Sequence, residues 1–204
     1  EAFKKKKIDS FIGIGSQAEY GFKKEIITEK SKLKPITFYG KAKVKVYNIL
    51  KKKCKNKKIR FIWLRIFTGY GPGSKPEWII PQTIQSVISK KRINFTAGDQ
   101  IYNFIYISDI VKFIIKALFN KNSNGAYNVA YKKSYKIKNI IKLIFSILKV
   151  NEKPMLGSID YRKDQIMEYK PSIKKLKKDF KWEPEIGIKE GLKKSIDFLL
   201  KLMQ

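Results

Sequence analysis

Residues 59–67 read IRFIWLRIF, an apolar run broken only by Arg60 and Arg65. A strand covered on both faces of a parallel sheet shows this near-continuous pattern, whereas a half-solvated antiparallel strand alternates. On the N-terminal side, residues 40–53 carry Ala42, Val46, Ile49 and Leu50 at helical spacing with no internal Gly or Pro. That pattern predicts a helix entered near Thr37 to Tyr39. Before it, IDSFIGIGS (8–16) is a short apolar run ending in small residues, a second buried strand. Strand, helix and strand in that order form a crossover, right-handed by default, and the fold class is α/β.

Beyond residue 67, GYGPGSKPEW (69–78) is a Gly/Pro-rich loop, and helices are expected at 79–90, from Asp109 to Phe119, at 136–149 and at 172–180. Strands are expected at 103–108 and from Ala126 to Ala130. The last helix, 188–202, aligns Leu192, Ile196, Leu199 and Leu200. Trp182 is assigned to packing and Asp109 to helix capping. The chain has no internal repeat and no glycine-rich strand-to-helix turn of the G-x-x-G-x-x-G kind.

With 204 residues and 43% apolar content the chain can bury a core, and no apolar run approaches a membrane span. Its net charge of +29 points toward a polyanion partner. The composition argues otherwise: 42 of the basic residues are Lys and four are Arg (Arg60, Arg65, Arg92, Arg162), beside 32 Ile and seven Ala. Lys and Ile have codons made only of A and T, so base composition accounts for the excess, and a phosphate-selected surface uses Arg forks as well. No specific nucleic-acid partner and no membrane partner is expected. A lone Cys54 and the absence of His exclude an internal disulfide, His catalysis and His metal ligation, so no metal is expected. The charged opening EAFKKKK has no apolar signal region, which predicts a cytoplasmic protein.

Catalysis must then use Ser, Tyr, Lys or carboxylates. Tyr39 and Lys43 stand four apart at the start of a helix, hence on one face. A neighbouring ammonium and a helix N-terminus both favour phenolate over phenol, which makes an acid/base without His. Ser16, at the carboxyl end of a parallel strand, lies where open α/β sheets bind ligands. The bare Y-x-x-x-K pair also fits an amphipathic helix with a snorkelling lysine, since Lys and Tyr abound here.

The surroundings decide between these. GSQAEYG (15–21), YGKAK (39–43), LRIFTGYGPG (64–73), NFIYISDI (103–110), GAYNVA (125–130) and WEPEIGIKEGL (182–192) occur in order. Together they resemble the extended short-chain dehydrogenase/reductases, the NAD-dependent epimerase/dehydratase family that acts on nucleotide sugars. The resemblance implies the C-terminal part of a Rossmann-type parallel sheet plus a smaller α/β substrate-binding domain. Residues 1–70 would belong to the Rossmann domain and 71–204 mostly to the substrate domain, with 101–119 and 125–130 returning to the Rossmann side.

It further implies that Ser16 holds the reacting sugar oxygen, that Tyr39 is the acid/base, and that Lys43 tunes it and binds the nicotinamide ribose. Ile14, Ile66 and Phe67 would line the nicotinamide of NAD or NADP. Arg162 would grip the diphosphate of a nucleotide-sugar substrate, and Trp78 and Ile79 would line the nucleotide. Thr68 and Tyr102 stand where many members carry Asn and Arg, so the diphosphate contacts are expected to be rearranged. Dehydratases carry an acidic residue where this chain reads Gln17-Ala18, which favours epimerisation or 4-keto reduction in deoxysugar or surface-polysaccharide precursor synthesis, of the CDP-abequose synthase type.

Family members begin with a βαβαβ half bearing the glycine-rich turn, about 90 residues at roughly 30 per unit. The chain is therefore expected to be a fragment, inactive alone, that starts at the end of a helix. The alternatives are an inactive remnant or split-protein half that binds a nucleotide-sugar, and a basic polyanion-binding protein. A homodimer through the Tyr39–Lys43 helix is usual in the family.

Overall fold

A computed structural model describes residues 8–202. The expected helix end at the start of the chain falls on residues 1–7, outside the described residues. The first strand, β1 (Ser10–Ser16), is followed by a single 3-10 turn at Gln17–Glu19 and then by α1 (Phe38–Asn56) and β2 (Arg60–Ile66). Thr37 caps α1, its Oγ1 accepting from the Gly40 amide at 3.1 Å. A Cβ on Gly40 would press against Ala18 O and Pro35, so glycine lets this helix start lie directly on the 17–19 turn.

β1 pairs in parallel with β2 from Ser10↔Arg60 to Ser16↔Ile66, and β2 pairs in parallel with β6 (Gly125–Val129). The central place of β2 explains its composition. Phe61 and Trp63 face α1, in a cluster with Cys54 and the partly buried Tyr47 and Leu50. Ile62 and Leu64 face the other way, onto α3 (Ile107–Phe119) and α5 (Lys174–Phe180), through Ile110, Phe113, Ala117, Leu176 and Phe180. Cβ atoms on Gly13 and Gly15 would overlap the Trp63 indole, so two glycines in β1 admit that ring. Arg60 clamps the far end of α3, its guanidinium donating to the carbonyls of Ala117 and Leu118 at 3.1 and 3.0 Å, where the helix dipole favours a cation.

The remaining strands form two smaller sheets. In one, β3 (Thr68–Tyr70) is parallel to β5 (Ile101–Tyr106), which is antiparallel to β7 (Ser134–Lys136). In the other, β4 (Asn94–Phe95) lies parallel to β8 (Met155–Leu156). The helices α2 (Ile79–Ile88), α4 (Ile137–Ile147) and α6 (Ile188–Leu202) bury Ile80, Ile84, Ile140, Ile144, Leu192 and Ile196 with Tyr70, Phe104 and Tyr106 of the mixed sheet.

Three expectations shift. Residues 69 and 70, read as the start of a loop, belong to the short strand Thr68–Tyr70 because β5 offers it an edge. The strand expected at 103–108 runs from Ile101 to Tyr106, and the following helix begins at Ile107 with Tyr106 in extended conformation at its N-cap. Asp109 is thus in the first turn and caps nothing in its own helix. Its buried Oδ2 accepts from the Ile186 amide at 2.9 Å and fixes the approach to α6. β5 lies in the mixed sheet, and α3 packs against both β1 and β5. Trp182 packs on Phe113 at 4.9 Å between ring centroids.

Candidate active site

β1 ends at Ser16, and the 3-10 turn that follows is closed by a capping box. Ser16 Oγ accepts from the Ala18 amide at 3.2 Å, while Glu19 Oε1 accepts from the Ser16 amide at 2.8 Å. This turn stands at the carboxyl edge of the parallel sheet, against the first turn of α1. There Lys43 donates from Nζ to Ile14 O at 2.8 Å, and the same ammonium lies 5.6 Å from the centroid of the Tyr39 ring. One strand end and one helix start therefore bring Ser16, Tyr39, Lys43 and Ile14 together. Tyr39 is 57% exposed and Ile14 43% exposed.

The other candidates divide. Thr68 joins the cluster: its Oγ1 accepts from Gln17 Nε2 at 3.3 Å, which links the end of β1 to the start of β3. Ile66 closes β2 and packs partly buried against the α3 face. Phe67 is buried between Tyr20 and Tyr169, with ring centroids 6.3 and 6.1 Å away. Ile79 and Trp78 stand at the start of α2, Trp78 half exposed and Ile79 packed on the mixed-sheet core.

Tyr102 and Arg162 make a second cluster. Tyr102 Oη accepts from Gln165 Nε2 at 2.7 Å and donates to Ile166 O at 2.9 Å. Burial pushes the Tyr102 phenol above its usual range, opposed by the Arg162 cation and the Gln165 bond. Arg162 is itself 79% exposed, with Asp164 Oδ1 at 4.0 Å.

Sequence reasoning missed the groups beneath Ser16. Glu19, fully buried, takes the Arg65 Nε at 2.8 Å on one oxygen and the Trp63 Nε1 at 2.9 Å on the other. Arg65 Nη1 donates to Tyr20 Oη at 3.1 Å, and Tyr20 donates onward to Asn128 Oδ1 at 2.6 Å. Asn128 is held in turn by Ile27 O and Ser172 O. Burial pushes the Tyr20 phenol up to about 12 against the pull of Arg65, so it remains a donor. Two signals pointed here: the S-x-x-E spacing of a capping box, and an arginine inside an apolar strand, which demands an acid partner.

With this geometry in view, the relatives take on meaning. Residues 1–130 match the NAD dependent epimerase/dehydratase family. The chain belongs to that family. Along its whole length it is 27% identical over 206 residues to a Bacillus subtilis (strain 168) protein described as an uncharacterized UDP-glucose epimerase, covering 65% of it. Over 140 residues, 67% of this chain and 47% of the relative, it is 31% identical to CDP-abequose synthase of Salmonella muenchen. Among solved structures it superposes on UDP-glucuronic acid 4-epimerase from Bacillus cereus, in complex with UDP-glucuronic acid and NAD, with a TM-score of 0.90. That match has 25% identity and covers 98% of this chain and 64% of the other. The chain thus spans less than two thirds of the length of these epimerase/dehydratase family relatives. Among its described residues no helix is long and apolar enough to cross a membrane, and no group of three or more His, Cys, Asp and Glu is placed to hold a metal.

Proposed function

We propose that this chain carries the proton-transfer site of an NAD- or NADP-dependent enzyme that epimerises a nucleotide-linked sugar or reduces its 4-keto form. The observation that carries the reading is the meeting of Ser16, Tyr39 and Lys43 at one sheet edge, with the Lys43 ammonium tied to Ile14 O and beside the Tyr39 ring. The residues fit a nicotinamide riboside. Lys43 uses one of three N–H donors on Ile14 O, leaving two for ribose hydroxyls, and the exposed Ile14 side chain offers an apolar flank. They do not fit the dinucleotide phosphates, because the 204 residues contain no glycine-rich turn.

Another feature supports a partner half for that purpose. Among the described residues β1 is an edge strand, paired on one side with β2. Beside it α3 exposes Ile107, Val111, Ile115, Leu118 and Phe119 along one stripe, Phe119 at 79%. Further βα units laid on this edge would continue the sheet and cover the stripe. In this reading β1, β2 and β6 with α1 and α3 form the dinucleotide side and the mixed sheet forms the substrate side, while the 204-residue chain alone is inactive. Phe38, Val46 and Ile49, at 91, 43 and 45% exposure on α1, support pairing of two copies through that helix.

A nicotinamide held there would supply hydride chemistry at C4 of the sugar. Tyr39 would take the C4 hydroxyl proton and return it to the same oxygen. Lys43 stabilises the phenolate electrostatically. Ser16, whose Oγ already accepts from Ala18, donates a hydrogen bond to the sugar oxygen and keeps its proton. Elimination of water needs an acid for the departing hydroxyl, and neither the Gln17 amide nor the Ala18 methyl supplies one. That favours epimerase or 4-keto-reductase over dehydratase. The exposed Arg162 guanidinium would meet the diphosphate, and Tyr102, bound to Gln165 and Ile166, would support the segment that carries it.

The test uses the chain joined to its dinucleotide-binding half, with NAD(H) and UDP- and CDP-linked sugars. Tyr39→Phe is expected to lower turnover about 10²- to 10⁴-fold at unchanged thermal stability. Equal turnover by the two proteins would refute the role of Tyr39.

A further inference from the structure

Ser16 can serve a sugar oxygen only if its hydroxyl proton is free and its rotamer is fixed. The structure shows a device for both. The Ala18 amide occupies an acceptor position on Ser16 Oγ, so the hydroxyl is left to act as donor. The same turn is closed from below by Glu19, whose Oε1 binds the Ser16 amide at 2.8 Å and the Trp63 indole at 2.9 Å. Its Oε2 is locked by Arg65 Nε at 2.8 Å. Glu19 is 0% exposed, and a carboxylate is not left in such a place unless its bonds are complete. The arrangement costs desolvation of two charges, and a 3-10 turn of three residues does not need an ion pair to form.

We infer that Glu19 is a positioning residue: braced by Trp63 and Arg65, it holds Ser16 in a single rotamer with its hydroxyl presented as a donor to the substrate oxygen. The inference rests on the proposed role of Ser16. It adds a residue that touches no substrate and acts through one that does. Arg65 carries the brace onward to Tyr20 and Asn128 at β6, so the turn is fixed to the middle strand and to the far strand of the sheet.

Two measurements separate this inference from the reading beneath it. The first, NMR of the 204-residue chain, needs no activity. The wild type should show a slowly exchanging Ser16 amide and side-chain couplings of one rotamer. In Glu19→Gln these should average while the amides of β2 and β6 stay protected. Unchanged Ser16 couplings in the folded variant overturn the inference.

The second is steady-state kinetics on the chain joined to its dinucleotide-binding half, for wild type, Glu19→Gln, Ser16→Ala and the double variant. Glu19→Gln should lower kcat about 10- to 100-fold with KM within about threefold, as misplacement of a reacting group does. In the Ser16→Ala background the same change should cost almost nothing. Full additivity of the two losses, or an unchanged kcat, overturns the inference. If the joined wild type transforms no nucleotide sugar, the functional reading fails, while the NMR result still decides whether Glu19 holds Ser16. Should Glu19→Gln fail to fold, Trp63→Phe removes one brace and keeps the ion pair, and it must show the same non-additivity with Ser16→Ala.

Discussion

Arg65 is 2% exposed and held by Glu19 and Tyr20, with its guanidinium stacked 4.9 and 5.0 Å over the rings of Tyr20 and Tyr47. Arg162 is 79% exposed with one loose carboxylate contact, to Asp164, at 4.0 Å. The same residue type thus does opposite work in two regions. Under Ser16 the Glu19 carboxylate, Arg65 Nε and Nη1 and the Tyr20 hydroxyl are committed to one another before any ligand arrives, which gives the turn a rigid floor. Around Arg162 the guanidinium keeps its donors free, which suits recognition of an anion that brings its own charge. The cost of building differs as well, because the buried pair must be desolvated whether or not a ligand comes, while the exposed arginine stays hydrated until then.

The contrast breaks most visibly by removing Arg65. Arg65→Leu leaves Glu19 charged, buried and short of a partner, and should lower the unfolding free energy by about 3 to 5 kcal/mol. Urea denaturation of the 204-residue chain measures this. A loss below about 1 kcal/mol would show that the buried network is not a rigid floor at all.

Alkaline pH sharpens the same point more gently. Burial pushes the Tyr20 phenol up to about 12 from the value near 10 of an exposed tyrosine. Its contribution is therefore complete below pH 10 and is lost as pH rises toward 12, amounting to about 2 to 3 kcal/mol. Tyr20→Phe should flatten the fall of stability between pH 10 and 12 relative to wild type, by denaturation at a series of pH values. An unaltered slope would mean that burial does not hold the Tyr20 phenol protonated against the pull of Arg65.

What the chain disclosed in advance follows the same division. The parallel sheet was legible because IRFIWLRIF is apolar on both faces and α1 repeats at helical spacing, and both signals are local. Tyr39 and Lys43 were legible because four residues on a helix make one face. The floor was not, since Glu19 and Arg65 are 46 positions apart and pair only after β1 and β2 align with Ser16 opposite Ile66. Within that strand Arg65 breaks the apolar pattern, yet nothing local says which of 17 acids answers it. Strand and helix limits near residues 101–109 shifted because Asp109 resembles a cap. Its partner, Ile186, is 77 residues away.

The smallest expected effect tests the other half of the comparison. Arg162→Ala removes no buried contact, so its effect on folding should stay within about 0.5 kcal/mol, as for other exposed positions. If the guanidinium meets a diphosphate, binding of the nucleotide-sugar should weaken by about tenfold, roughly 1.4 kcal/mol for a solvated charge-assisted pair. Arg162→Lys should recover part of this, because an ammonium supplies the charge without the bidentate fork. Tyr102→Phe gives the counterpart. Tyr102 Oη is spent on Gln165 and Ile166, so its loss should loosen the segment that carries Arg162 and weaken binding less than Arg162→Ala does. Calorimetric titration of the nucleotide-sugar into the three variants orders them. Equal affinity for wild type and Arg162→Ala would move diphosphate recognition elsewhere on the substrate side and leave the exposed arginine an ordinary surface charge.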